Sequence, residues 1–127
     1  MDAGLTPGRT LGGPMNDACI FCRIVAGSIP ATVVASNEQA LAFKDLHPQA
    51  PVHVLVIPRR HVASLATADD PAELGAVMAL AAQVARDAGL PASGYRVVTN
   101  IGNDGGQTVG HLHLHVLGGR AFSWPPG

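Results

Sequence analysis

The chain has 127 residues, of which 47% are hydrophobic and 13% charged, with a formal net charge of -1. This fits one domain with one ordinary core, and it offers no Lys/Arg-rich stripe that would track the backbone of extended nucleic acid. No apolar run approaches the roughly 18 to 20 residues of a membrane span, and the N-terminus lacks a signal-peptide pattern, so a soluble cytoplasmic protein without a membrane partner is expected.

Residues 1–14 are rich in Gly, Pro and Thr, carry no hydrophobic period and end before a second methionine, Met15. They read as a disordered extension or an expression remnant, with the folded domain over 15–127. Cys19 to Ala26 has apolar residues at helical spacing and is followed by Gly27, a helix stop. Ala31 to Ala35 and Ala40 to Lys44 are β-prone runs separated by Ser36, Asn37 and Glu38, which predicts a hairpin. Val52 to Ile57 is dense in β-branched residues between Pro51 and Pro58, the pattern of a central strand.

Asp70-Pro71-Ala72-Glu73 combines an N-cap acid, a proline at the first helical position and a glutamate at the third. Leu74, Val77, Ala81, Val84 and Ala88 then mark one apolar face, and Gly89 supplies the stop. Tyr95 to Thr99 reads as a strand, Asn100 to Thr108 as a polar Gly-rich loop, and His111 to Leu117 as a last alternating strand. Five strands with helices set between groups of strands predict an α+β domain on an antiparallel sheet.

Chemistry concentrates in His111-Leu112-His113-Leu114-His115. Alternation along a strand puts the three imidazoles on one face, about 6.6 Å apart between neighbouring α-carbons, while Leu112, Leu114 and Val116 point into a core. A single histidine on a strand is usually structural, but three of the chain's six in strict alternation point to a site. Metal ligation and nucleophilic or acid–base catalysis both use such a row. Few acids lie near this strand, which favours the nucleophilic role over a carboxylate-rich metallohydrolase. The loop just upstream offers glycines, backbone N–H groups, amides and a hydroxyl, as phosphate binding requires. Cys19-Ile20-Phe21-Cys22 is a C-x-x-C that lacks the preceding parallel βαβ strand of a thioredoxin-like site.

The histidine row, the preceding Gly105-Gly106-Gln107-Thr108, the stretch Asp45-Leu46-His47-Pro48-Gln49-Ala50-Pro51-Val52-His53 and the ending Gly118-Gly119-Arg120 through Trp124-Pro125-Pro126-Gly127 together resemble the histidine triad (HIT) superfamily. Its HINT-type purine nucleoside phosphoramidase branch is the most similar, and the resemblance covers Cys19 to Gly127. It implies a HIT-like fold, with five antiparallel strands and two helices, paired into a two-fold homodimer with a continuous sheet. It also implies an AMP-like purine nucleotide substrate, a 5'-phosphoramidate or related ester or amide.

In that resemblance His113 is the nucleophile that forms a nucleotidyl-histidine, His115 holds phosphate oxygens and His111 supports the ring geometry. Asn100, Gly106, Gln107, Thr108 and Val109 complete the phosphate cradle, Asp45 accepts from the ribose hydroxyls, and Ile29, Phe43 and Leu46 wall the base. No metal is required for catalysis. Some bacterial members hold a structural Zn2+, and the resemblance implies Cys19, Cys22, His53 and His111 as its ligands; otherwise both cysteines are reduced core residues and His53 hydrogen-bonds to the triad. A dinucleoside polyphosphate hydrolase and a non-catalytic nucleotide-binding protein are the competing readings, whereas nucleotidyl transferases carry Gln where this chain has His115. Lys44 replaces a histidine frequent in the HINT branch and Gly110 replaces a bulkier residue, and these departures bear on substrate range rather than on reaction class.

Overall fold

The computed structural model describes residues 16–127, so the extension over 1–14 lies outside the described residues. Among the described residues, two α-helices and five strands follow one another as α1 (Ile20–Val25), β1 (Val33–Ser36), β2 (Ala40–Lys44), β3 (Val52–Pro58), α2 (Pro71–Asp87), β4 (Tyr95–Val98) and β5 (Leu114–Gly118), with single 3-10 turns at Leu65–Thr67 and Leu90–Ala92. The strands form one antiparallel sheet in the order β1-β2-β3-β5-β4. No helix among the described residues is long and apolar enough to cross a membrane.

The local signals act as the sequence predicts in α2. Asp70 Oδ1 accepts from the N–H groups of Ala72 and Glu73, Pro71 opens the helix, and Gly89 at φ 73° turns the chain away beyond its end. The helix buries Val77, Leu80, Ala81, Val84 and Ala85 against one face of the sheet, where Ala40, Ala42, Val54, Val56, Leu112, Leu114 and Val116 meet it. Because β3 is covered on both faces, its burial is continuous rather than alternating.

The opposite face carries a second apolar cluster of Phe21, Leu41, Phe43, Leu55 and Ile57, lidded by α1. Register decides which face each side chain takes: Leu55 pairs with His115, and His53 with Leu117, so these four share the α1 face.

The last strand starts later than its alternation predicts, at Leu114 instead of His111. The ladder is replaced there by other partners: Leu112 N–H donates to the Val62 carbonyl at 2.6 Å, and Thr99 Oγ1 donates to the His113 carbonyl at 2.8 Å. The side-chain alternation survives this, since Leu112, Leu114 and Val116 are all buried in the α2 core. The first hairpin strand is likewise shorter than expected, and its pairing with β2 shifts register between Val33 and Ala35.

Candidate active site and metal cluster

Each triad imidazole is held in one tautomer by a group whose hydrogen-bonding role is not adjustable. His113 Nδ1 lies 2.8 Å from the His111 carbonyl. A carbonyl only accepts, so His113 carries its proton on Nδ1 and presents an unprotonated Nε2. His111 Nε2 lies 2.9 Å from the Pro58 carbonyl, which fixes that proton on Nε2 and leaves Nδ1 with its lone pair.

His115 is set through a chain of three groups. The N–H of Gln49 donates to His53 Nδ1 at 3.0 Å, so neutral His53 carries its proton on Nε2. That Nε2 lies 2.8 Å from His115 Nδ1 and 3.4 Å from Asp45 Oδ2. His115 Nδ1 therefore accepts, and its own proton sits on Nε2. The rings of His113 and His115 have centroids 5.0 Å apart, placing an unprotonated nitrogen and an N–H donor beside one another. Phe21 from α1 packs edge-on against both His111 and His113, at centroid distances of 5.8 and 5.2 Å, and excludes water from their backs.

Burial, with like-charge repulsion from His113 and His53 adding to it, pushes His115 down to about 4 from the usual imidazole range. Burial lowers His53 in the same way, against the opposing pull of Asp45. Both rings are thus neutral at neutral pH, as the tautomer chain requires.

The expected phosphate loop lies just before the triad. Asn100 Oδ1 is buried and meets no partner among the described residues. Thr108 is exposed and Val109 half-buried, and no backbone acceptor among the described residues meets their N–H groups. Gly106 has φ 76°, a conformation in which a side chain is strained. Gln107 departs from expectation: Nε2 donates to the Ala63 and Val109 carbonyls at 2.8 and 3.0 Å, and Oε1 accepts from Gly102 N–H at 3.0 Å. Both amide hydrogens are committed to backbone, so the side chain has none left to orient a phosphate oxygen.

Of the residues expected around ribose and base, Asp45 is partly buried and uses Oδ1 to accept from His47 N–H at 2.8 Å. Phe43 is buried in the α1-side cluster, with Val109 packed against it. Ile29 is half-buried, while Leu46 is 85% exposed and forms an open rim rather than a wall.

Of the expected metal ligands, the structure brings Cys19, Cys22 and His111 together but not His53. Cys19, Cys22, His61 and His111 bring one ligand atom each within 4.8 Å of one another, while His53 belongs to a different group, with Asp45 and His115. In the first group His111 Nδ1 lies 3.3 Å from Cys19 Sγ, and His61 Nδ1 lies 3.3 Å from Cys22 Sγ. Two sulfurs and two imidazole nitrogens at such spacings match the donor set of a tetrahedral Zn2+ site. Burial pushes the Cys22 thiol up to about 11, so it stays protonated at neutral pH unless a bound cation compensates its thiolate.

The second group fails the same test on its hydrogen bonds. A neutral His53 bound to metal through Nε2 carries its proton on Nδ1, where Gln49 N–H already donates. It is a hydrogen-bonded chain. Sequence reasoning passed over His61, whose signal is only a histidine beyond the end of β3, and also Phe21 and Thr99, which carry no motif.

The HIT domain family profile matches residues 26–122. The chain belongs to the HIT domain family. An uncharacterized HIT-like protein of Synechocystis is 50% identical over 115 residues, covering 89% of this chain and 100% of the relative. The crystal structure of a HIT family hydrolase from Legionella pneumophila has a TM-score of 0.83 at 47% identity, covering 86% of this chain and 99% of that one. A histidine triad nucleotide-binding protein from Candida albicans has a TM-score of 0.75 at 30% identity, covering 84% of this chain and 82% of that one.

The depressed His115 has a consequence for HIT-fold stability. Between the unfolded imidazole value near 6.5 and about 4, the unfolded chain binds a proton that the folded chain refuses, so stability rises with pH across this window. Denaturant melts from pH 7 to 4 are expected to show falling stability, less steep in a His115→Gln variant. Equal slopes in the two proteins would contradict the neutral buried ring.

Proposed function

We propose that this HIT protein is a nucleotide hydrolase that cleaves purine nucleoside 5'-phosphoramidates, or related nucleoside monophosphate esters and amides, through a nucleotidyl intermediate on His113. The observation that carries the reading is the pair of fixed tautomers, an unprotonated Nε2 on His113 beside an Nε2–H on His115. The Legionella relative's description as a hydrolase and the Candida relative's as nucleotide-binding support it.

His113 Nε2 attacks the α-phosphorus, the P–N bond to the leaving amine breaks, and the amine departs with a proton taken from solvent, which the water of the second step returns. The ring becomes cationic on phosphorylation, and its Nδ1–H bond to the His111 carbonyl strengthens with that charge. Water then attacks phosphorus, the N–P bond breaks, and nucleoside monophosphate leaves with His113 restored as a neutral ring. His115 donates to a phosphoryl oxygen as charge develops there, helped by the N–H groups of Thr108 and Val109 and the side chain of Asn100. Asp45 takes the ribose hydroxyls through oxygen capacity left free of His47, and Phe43, Ile29 and Leu46 meet the base.

Purified protein is expected to release AMP from adenosine 5'-phosphoramidate, and His113→Ala to lose at least about a thousandfold in kcat while still binding AMP. Much faster turnover of diadenosine polyphosphates would reassign the substrate. Tight AMP binding without hydrolysis by the parent would replace the enzyme with a binding protein.

We further propose that Cys19, Cys22, His61 and His111 hold a structural Zn2+, which bears on the reaction only by fixing α1 and the backbone of His111. Metal analysis is expected to find about one zinc per chain, lost in His61→Ala and kept in His53→Ala. Retention by the first and loss by the second would restore the ligand set that the resemblance implied.

A two-fold dimer joined along β4 is the third element of the proposal. Its strand pairs with β5 on one side, and Tyr95, Val97 and Val98 stay exposed at this sheet edge. Pairing with a second β4 would cover that edge and extend the sheet. Sedimentation should return twice the chain mass, and replacing Val97 with Lys should shift it toward the monomer; a monomeric parent would rule the pairing out.

A further inference from the structure

We propose that Gln107 is a positioning residue that latches the phosphate-side loop onto the segment carrying His61, and does not itself touch the nucleotide. Its consequence for rate rests on the nucleotide-hydrolase reading above; the latch itself rests on hydrogen bonds alone.

The loop from Asn100 to Gly110 has little to hold its shape. Ile101 to Gly106 are all exposed, Gly102 and Gly106 take φ values of 68° and 76°, and apart from the bonds of Gln107 a single internal backbone bond, Gly106 N–H to the Asn103 carbonyl, closes a turn. Such a segment gains backbone conformational entropy when released. Gln107 opposes that at three places at once.

Its backbone N–H donates to the Gly102 carbonyl at 3.0 Å, and its Oε1 accepts from Gly102 N–H at 3.0 Å, so one residue closes both ends of the loop's tip. One Nε2 hydrogen goes to Val109, where the loop re-enters the fold. The other reaches Ala63, outside the loop. Ala63 is a firm anchor: Val62 before it is buried and accepts from Leu112, and His61 before that packs against Cys22 and His111. Each donor and acceptor site of the amide that faces the protein is occupied, which a group reserved for substrate would not need.

The fixed backbone of Thr108 and Val109 is what this latch delivers. Donors held in place before substrate arrives stabilise charge without reorganising, so loosening them acts on the chemical step and on binding together.

Gln107→Ala removes all three side-chain bonds, and Gln107→Glu keeps the shape but sets a carboxylate oxygen against two carbonyls. In substrate-free protein, both are expected to speed hydrogen exchange of the bonded Gly102, Gly106 and Gln107 amides at least about tenfold, with the exchange of β3 and α2 unchanged. In the parent, the two Nε2 hydrogens should themselves exchange slowly, a readout that survives if a variant misfolds. On phosphoramidates kcat/KM should fall about 10- to 100-fold, by the same factor for strongly and weakly basic leaving amines. A loss that grows with leaving-amine basicity would mean that Gln107 touches the leaving group, and would overturn the latch. Unchanged loop exchange, or fast Nε2 exchange in the parent, would overturn it equally. A parent without hydrolase activity would sink the functional reading while the exchange results still decided the latch.

Discussion

The hydrogen bond from His113 Nδ1–H to the carbonyl two residues back is the constraint around which the rest is arranged. An imidazole has two chemically distinct nitrogens, and an unconstrained ring divides its proton between them. Here the choice is made by a peptide carbonyl that has no donor state. For that carbonyl to be available, His111 must lie outside the β5 ladder, which is why the regular strand begins only at Leu114. The missing ladder bonds are replaced by Val62 and Thr99, so the backbone remains satisfied while one carbonyl is diverted to the ring.

A short stretch from the last residue of β3 onward then serves several neighbours. Pro58 offers its carbonyl to His111, His61 its ring to Cys22, Val62 its carbonyl to Leu112 and Ala63 its carbonyl to Gln107. Six residues therefore connect the cysteine cluster, the stretch that leads into β5 and the loop beside it. Anything that orders the cysteine cluster orders this stretch as well, and the bonds from it lead to both halves of the site. The Arg60–Glu73 pair, bidentate at 2.8 and 3.0 Å, ties the same stretch to the first turn of α2.

Much of this was legible in the sequence because it rests on local rules. Alternation placed Leu112, Leu114 and Val116 in the core and the histidines opposite, and the capping pattern at Asp70 fixed where α2 begins. What escaped is nonlocal. Whether His53 or His61 faces the cysteines depends on how α1 folds over the sheet, and no spacing along the chain records that. His53 sits within β3 on the histidine face, opposite Leu117 and diagonal to His115; His61 lies past the strand end, where the chain turns under α1. The Gln107 side chain was equally unreadable, because an amide serves phosphate or backbone with the same chemistry. Only its partners distinguish the two.

The two histidine groups also show why proximity of ligand-type residues is a weaker criterion than the state of their second nitrogen. Asp45, His53 and His115 converge as closely as many metal sites do. Yet the bond from Gln49 commits His53 to carry its proton on the nitrogen that a metal would need, whereas the Pro58 carbonyl commits His111 to the opposite choice. One group is thereby wired to pass hydrogen-bond direction from a backbone amide to His115, and the other to present the His111 Nδ1 lone pair toward two sulfurs. His111 stands between these functions: its ring faces the cysteines while its carbonyl sets the tautomer of His113. A change at the cluster that rotates the His111 peptide would release the His113 proton from Nδ1 and remove the lone pair from Nε2. The cysteine cluster and the His113 tautomer are coupled through a single residue.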